Sequence, residues 1–295
     1  MTTAVELALA NALEEVTLVC FTTLGPSSVL AFLLMLAVWA RPDAGCDERA
    51  LVRKLLWVPL ALCMLSLIAS ATHLGSAENA LYVLTHVGSS PLSNEVLASV
   101  AFLALAALFW ILGFTTDEHL ALARVHAVLT ALAGLVAIAA ISYAYNVATI
   151  VTWSQPCVPA SIAASAGVAG PLIALAALRP GRPEPHSTRY TRALAVLFTL
   201  ASCVWLALCA VYGAQLATLG NSLYAATDLV PMYWPCWAMA AVLLLTAFAL
   251  AAWPLLRTGQ VTFPRLLTAT ALSLAAIFIM RFLFYMTHMT VGLTI

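Results

Sequence analysis

Two side chains able to exchange protons near neutral pH bracket one polar stretch of this chain. His73 closes an apolar run and Glu95 opens the next. Residues 71–99, ATHLGSAENALYVLTHVGSSPLSNEVLAS, gather polar groups that the flanking runs lack. An imidazole with an ordinary pKa of about 6.5 suits a proton acceptor. A carboxyl group partly withdrawn from water has its pKa raised, so it can cycle protons instead of remaining a fixed charge. Ser93-Asn94-Glu95 also reads as a helix start, with Ser93 or Asn94 as the cap. Capping accounts for Ser93 and Asn94, and a lone histidine at a helix end is commonly a cap too. It accounts less well for an acid at the lipid boundary. His86 suits a surface position or a pocket rim equally.

A second group lies near the far end of the sequence. Arg281 falls inside the last apolar run, in MRFLFYMTHMTVGL, with Tyr285 four residues on and His288 seven. On one helix these three share a face. An arginine inside a bilayer is costly and marks a functional site by default, unless it snorkels to the headgroups. A cation, a phenol and an imidazole on one stripe fit the lining of a polar pocket better than lipid contact.

The elements that must position these groups follow from composition. Of 295 residues, 64% are hydrophobic and 8% charged, too greasy for a soluble domain of this length. A bilayer demands that backbone polar groups be satisfied internally, which leaves helices or closed barrels. The apolar runs are long, without period-2 alternation, so the expected fold is all-α. Eight transmembrane helices are predicted at about 16–40, 55–73, 95–114, 121–144, 158–178, 193–217, 236–256 and 265–288. Residues 1–15 carry three glutamates and no basic residue, unlike a signal peptide, and predict a short outer helix or arm.

Charge sets the expected orientation. Arg41, Arg49, Arg53, Lys54, Arg124, Arg179, Arg182, Arg189, Arg192, Arg257 and Arg265 all fall on one side of an eight-span protein. They are eleven of its twelve basic residues. The positive-inside rule then puts both termini outside. Two four-helix bundles are expected, an N-terminal half at 1–180 with the 71–99 hairpin and a C-terminal half at 181–295 with the Arg281 stripe. A short echo supports duplication: ATHLGSAENALY ends the second span and ATLGNSLY the sixth.

Other chemistries find little support. The net charge is zero and no basic stripe occurs, which argues against nucleic acid. Seven cysteines include no CxxC, so an iron–sulfur or zinc site in this protein is not expected. Cys157 and Cys236 both fall near outer span ends, which leaves a disulfide between them open. His73, His126 and His288 alone lie in or near spans, and His126 is on the inner side. At most one haem, between His73 and His288, could be built. Outer tyrosines and tryptophans (Tyr145, Trp153, Tyr233, Trp234) read as an interfacial belt or a docking surface for a soluble partner.

These residues resemble the membrane-anchor subunit of the dimethyl sulfoxide reductase family of respiratory molybdoenzyme complexes. The matching motifs are His73-Leu-Gly-Ser, Val87-Gly-x-x-x-Leu-Ser-Asn-Glu95, Tyr145-Asn146 with Trp153, Gly170-Pro171-Leu172, Gly213-Ala-Gln-Leu-Ala-Thr218 and Phe284-Tyr285-x-x-His288-Met-Thr-Val-Gly-Leu. They run in order over nearly the whole sequence. The resemblance implies eight spans with both termini outside, in a bacterial cytoplasmic membrane. It implies menaquinol as bound substrate, no haem or iron–sulfur cluster in this subunit, and two partners on the outer face: a four-cluster iron–sulfur subunit and a molybdopterin catalytic subunit. The family's functional histidine falls on His73 and its acid on Glu95. A quinol site of His73, Ser93, Asn94, Glu95, Arg281, Tyr285 and His288 is then expected. Two positions depart from the family pattern: Gln215 stands where it has an acid, and His86 where it has an arginine. A transporter or proton-conducting subunit is the rival reading, but it calls for polar groups continuing to the inner side. A purely structural tether is the other.

Overall fold

The computed structural model describes residues 4–72, 83, 85–114, 119–179, 188–221 and 223–289. His73 therefore lies outside the described residues. Within them the protein is mainly helical and contains no β-strand. A short α1 (Ala4–Glu14) precedes the first span, α2 (Val16–Trp39). The second span joins α3 (Cys46–Leu55) and α4 (Trp57–Thr72). Three single helices follow: α5 (Pro91–Leu112), α6 (Leu120–Ala144) and α7 (Cys157–Leu178). Next come α8 (Thr188–Leu216) and the single turn α9 (Ala226–Leu229). The seventh span runs from α10 (Tyr233–Ala247) through a π-helical turn, Phe248–Ala252, into α11 (Trp253–Thr258). The last is α12 (Phe263–Met286). Eight of these segments are long and apolar enough to cross a bilayer, at the positions expected from hydropathy.

Two helices form the centre. The apolar stretches of α2 and α7 are 67% and 83% buried, against 22–33% for every other span but α12. They pack on each other, and both carry a Gly-Pro step, Gly25-Pro26 and Gly170-Pro171. A proline inside a helix removes one backbone hydrogen bond, and around Pro26 several side-chain hydroxyls bond other carbonyls of α2. Thr23 Oγ1 donates to the Val19 carbonyl, Ser27 Oγ to Thr23 and Ser28 Oγ to Gly25. Small residues let the backbones close up: a Cβ on Gly170 would stand 3.1 Å from the Ser27 carbonyl oxygen. Around this pair, α4 packs on α2, α8 on α7, α6 on α5 and α12 on α10. Leu122, Leu200, Val242 and Leu245 face outward, as a lipid-facing surface requires. Residues 1–180 hold five of the eight spans and 181–295 three. By span count, a four-and-four division falls between α6 and α7 and not at 180.

One end of the bundle is tied by basic residues and carbonyls. Arg49 Nη2 donates to the Arg41 carbonyl, Arg53 Nε to Phe109, and Tyr190 OH to Leu34. At the same end Gly259, at φ 74°, closes α11 in the left-handed region open to glycine. The other end carries the candidate site.

Candidate functional site

Glu95 owes its position to the way α5 begins. The cap is Ser90, whose Oγ accepts from the Ser93 N–H, and Pro91 occupies the first turn. The expected cap at Ser93 or Asn94 is thus displaced upstream, because proline at the first helical position is pre-set for the helix. Asn94 is exposed and serves the preceding loop instead: its Oδ1 accepts from the N–H of Gly88, which sits at φ 88°. Ser93 and Glu95 face inward, 3% and 2% exposed. Glu95 Oε2 has no hydrogen-bond partner.

The opposite wall is the last turn and a half of α12. Arg281 and Tyr285 are buried on one face, 4% and 1% exposed, as their spacing predicted. The helix ends at Met286 with Thr287 as cap, so His288 leaves the stripe. It is exposed, its ring edge-on to Trp153 at 5.2 Å. The expected three-residue stripe is therefore a pair, since an i+7 relation holds only while the helix continues.

The connection between α6 and α7 is stitched onto this helix end. Thr152 Oγ1 donates to the Thr287 carbonyl and Trp153 Nε1 to that of Phe284. Thr287 Oγ1 donates to Phe284, which leaves the Tyr212 hydroxyl to donate to Thr287 Oγ1 at 2.7 Å. Trp153 stacks on Phe284 with ring centroids 4.8 Å apart. Tyr145, the residue that ends α6, meets Tyr285 edge to face at 5.9 Å. The Tyr285 hydroxyl faces Tyr145 and Thr22 of α2, yet has no partner at hydrogen-bond distance. Glu95 and Arg281 both lie within electrostatic reach of these two tyrosines. Burial holds the Tyr145 phenol well above its ordinary range, with Tyr285 and Glu95 adding in the same direction. It remains a neutral donor across the working range of pH.

Hence the fold gathers Glu95, Tyr285 and Arg281, with Ser93 beside Glu95. It leaves Asn94 and His288 at the surface. Tyr145 and Thr22 were missed as site residues. Tyr145 read as part of an aromatic belt, although a tyrosine followed by asparagine at a span end was the available signal. Cys157 and Cys236 are not joined: the Cys157 thiol contacts Gln215 Oε1 at 2.9 Å. Among the described residues no three His, Cys, Asp or Glu side chains gather as a metal site would require. At the lipid-facing side of the same end, a groove of about 490 Å³ runs between α5 and α6, with Ser89, Asn94 and Tyr143 on its walls.

Eight spans enclosing an unpaired acid and an unpaired arginine near one end define a polytopic membrane protein with a buried, protonatable site. Comparison with known proteins then gives the family. Residues 9–286 match the model of the DMSO reductase anchor subunit (DmsC). The C subunit of the anaerobic dimethyl sulfoxide reductase of Haemophilus influenzae is 31% identical over 284 residues, 96% of this protein and 98% of that one. In Escherichia coli K12, two relatives are each 29% identical. One is YnfH, an anaerobic dimethyl sulfoxide reductase subunit (97% and 99% covered), and the other is the C subunit of that organism's anaerobic dimethyl sulfoxide reductase (96% and 98%). The protein belongs to the DMSO reductase anchor subunit family, as its motifs led us to expect.

Proposed function

We propose that this anchor binds and oxidises menaquinol at the end of the bundle where α12 finishes, and passes the electrons to a partner subunit. The observation that carries the reading is Glu95: a buried acid with an unpartnered oxygen, within reach of two tyrosine hydroxyls. An acid kept for structure is capped or paired. One left open in a membrane is suited to taking a proton.

Menaquinol enters laterally from the lipid, and the groove between α5 and α6 is of a size to admit its ring. His73 and Glu95 take the hydroxyl protons, with Ser93 beside Glu95 on that wall and Asn94 at the entrance. Tyr285 donates to the second oxygen, and the charge of Arg281 one turn away stabilises negative charge developing there. His288 stands at the surface beside Trp153. Each quinol gives up two protons and two electrons and becomes quinone. The protons leave to the outside. The electrons pass to an iron–sulfur subunit docked over the outer loops and on to a molybdopterin catalytic subunit. The concentration of basic residues at the opposite end supports termini facing outward from the bacterial cytoplasmic membrane. The name carried by the relatives suggests dimethyl sulfoxide as the terminal acceptor.

The test is quinol-analogue oxidation by the purified, intact complex, with subunit content measured alongside. Glu95→Gln and His73→Ala should each cost about a hundredfold or more at normal content. Full activity in Glu95→Gln would overturn the role of this acid. Loss of assembly in step with activity would point to a tether.

A further inference from the structure

Arg281 also borders a space that quinol chemistry does not use. Between α7, α8, α10 and α12 lies a cavity of about 20 Å³, lined among others by Ser161, Trp205, Cys209, Tyr212, Tyr233 and Arg281. That volume admits a particle about the size of a water molecule and is too small for a quinol ring.

The groups around it are unbalanced. Arg281 Nε and Nη2 have no hydrogen-bond partner, and neither has the indole Nε1 of Trp205, a side chain only 1% exposed. The remaining polar protons point elsewhere: Tyr233 OH donates to the Cys209 carbonyl, Ser161 Oγ to Val158 and Tyr212 OH to Thr287. What is left over is a set of N–H donors and one positive charge. Among the described residues, the ionisable groups that act on Arg281 include Cys209, Tyr285, Tyr145, Tyr233 and Tyr212, all neutral in their ordinary state. Arg281 has no ion pair among the described residues, whereas Arg41, at the opposite end, is paired with Asp43 and Glu48. A guanidinium taken out of water without a counter-charge is heavily penalised. A water molecule would satisfy the N–H groups and leave the charge uncompensated.

We propose that this cavity binds one small monovalent anion of the halide class, held by the Arg281 guanidinium and the Trp205 indole N–H. Trp205 is the residue that gives the site away in the sequence. It lies deep within the sixth span, where tryptophan is out of place against its preference for the interface.

The experiment uses the intact complex exchanged into gluconate and then titrated with bromide at constant ionic strength. Anomalous diffraction from bromide-exchanged crystals and the melting temperature of the anchor are the readouts. One bromide peak between Arg281 and Trp205, with melting that rises with bromide, is the expected result. Trp205→Phe should keep the ring and raise the bromide concentration needed by roughly fivefold, the effect of one hydrogen bond. Arg281→Met should remove the dependence. If Arg281→Met fails to assemble, Trp205→Phe decides the matter. A cavity without bromide, or melting indifferent to halide in the wild type, overturns the proposal. Neither readout requires quinol oxidation, so the two readings stand or fall separately.

Discussion

Glu95 and Arg281 occupy similar ground with opposite charge. Both are buried near the same end of the bundle, and both have side-chain atoms without a partner. They do not pair with each other; Tyr145 and Tyr285 feel both. The chemistry of the two groups makes the difference. A carboxyl group can take a proton and give it up again, so in a buried place it can alternate between a charged and a neutral form. A guanidinium cannot shed its charge. The same isolation therefore makes one position a proton site and the other a fixed charge in need of a counter-ion. A direct ion pair with Arg281 would have fixed Glu95 as an anion and removed its capacity to cycle.

The largest effect should come from removing that capacity. Glu95→Gln keeps shape and burial, and quinol oxidation should fall about 100-fold or more with assembly intact. Its pH profile should also lose the limb due to this acid. Tyr145→Phe, in contrast, should leave the profile unchanged, because burial keeps that phenol protonated throughout. If both variants changed the profile alike, the acid and the phenol would be one coupled unit and the division drawn above would fail.

Arg281→Met comes next and tests the other half of the comparison. Replacing a buried charge by an apolar side chain of similar length is often neutral or stabilising by about 1–4 kcal/mol when the charge was poorly compensated. With an anion in place, the gain should appear in gluconate and shrink in chloride. A melting difference independent of the salt would mean that Arg281 is compensated by the protein alone.

Much of this was legible in the sequence, and the exceptions have physical causes. The spans could be read because a bilayer imposes one dominant signal, a continuous apolar run. The Arg281–Tyr285 pair could be read because both lie within helix α12. His288 could not, since its placement depends on where that helix stops, two residues earlier. The cap of α5 was misplaced for a related reason: Ser90-Pro91 outcompetes Ser93 and Asn94 as a starting signal. The approach of Tyr145 to Tyr285, and the placing of Trp205 and Arg281 on one cavity, arise from packing between spans distant in sequence. The first segment alone showed only a tyrosine at an interface, and Trp205 drew no notice in a long apolar run.

Tyr285→Phe separates the energetic part of the comparison from the chemical part. Its hydroxyl is buried without a partner, so deleting it removes an unsatisfied group. Melting of the complex should stay level or rise by an amount worth about 1 kcal/mol. Activity should nonetheless fall, by roughly tenfold, if that hydroxyl donates to the quinol in the transition state. A stabilised and fully active variant would make Tyr285 a spacer.

The smallest effect belongs to the loop that leads into α5. Asn94→Ala deprives the Gly88 N–H of its acceptor at 2.7 Å. Since that group is exposed, water replaces the lost partner, and the cost in melting should not exceed about 1 kcal/mol. Glu95 is held by the Ser90 cap and by burial, not by this bond. The maximal rate of quinol oxidation should therefore stay within about twofold of wild type, a change worth under about 1 kcal/mol. The apparent affinity for quinol should weaken modestly, because Asn94 and Gly88 form one lip of the groove between α5 and α6. An equal fall in rate and affinity would mean that the loop positions the acid itself, and would move Asn94 from the entrance into the working site.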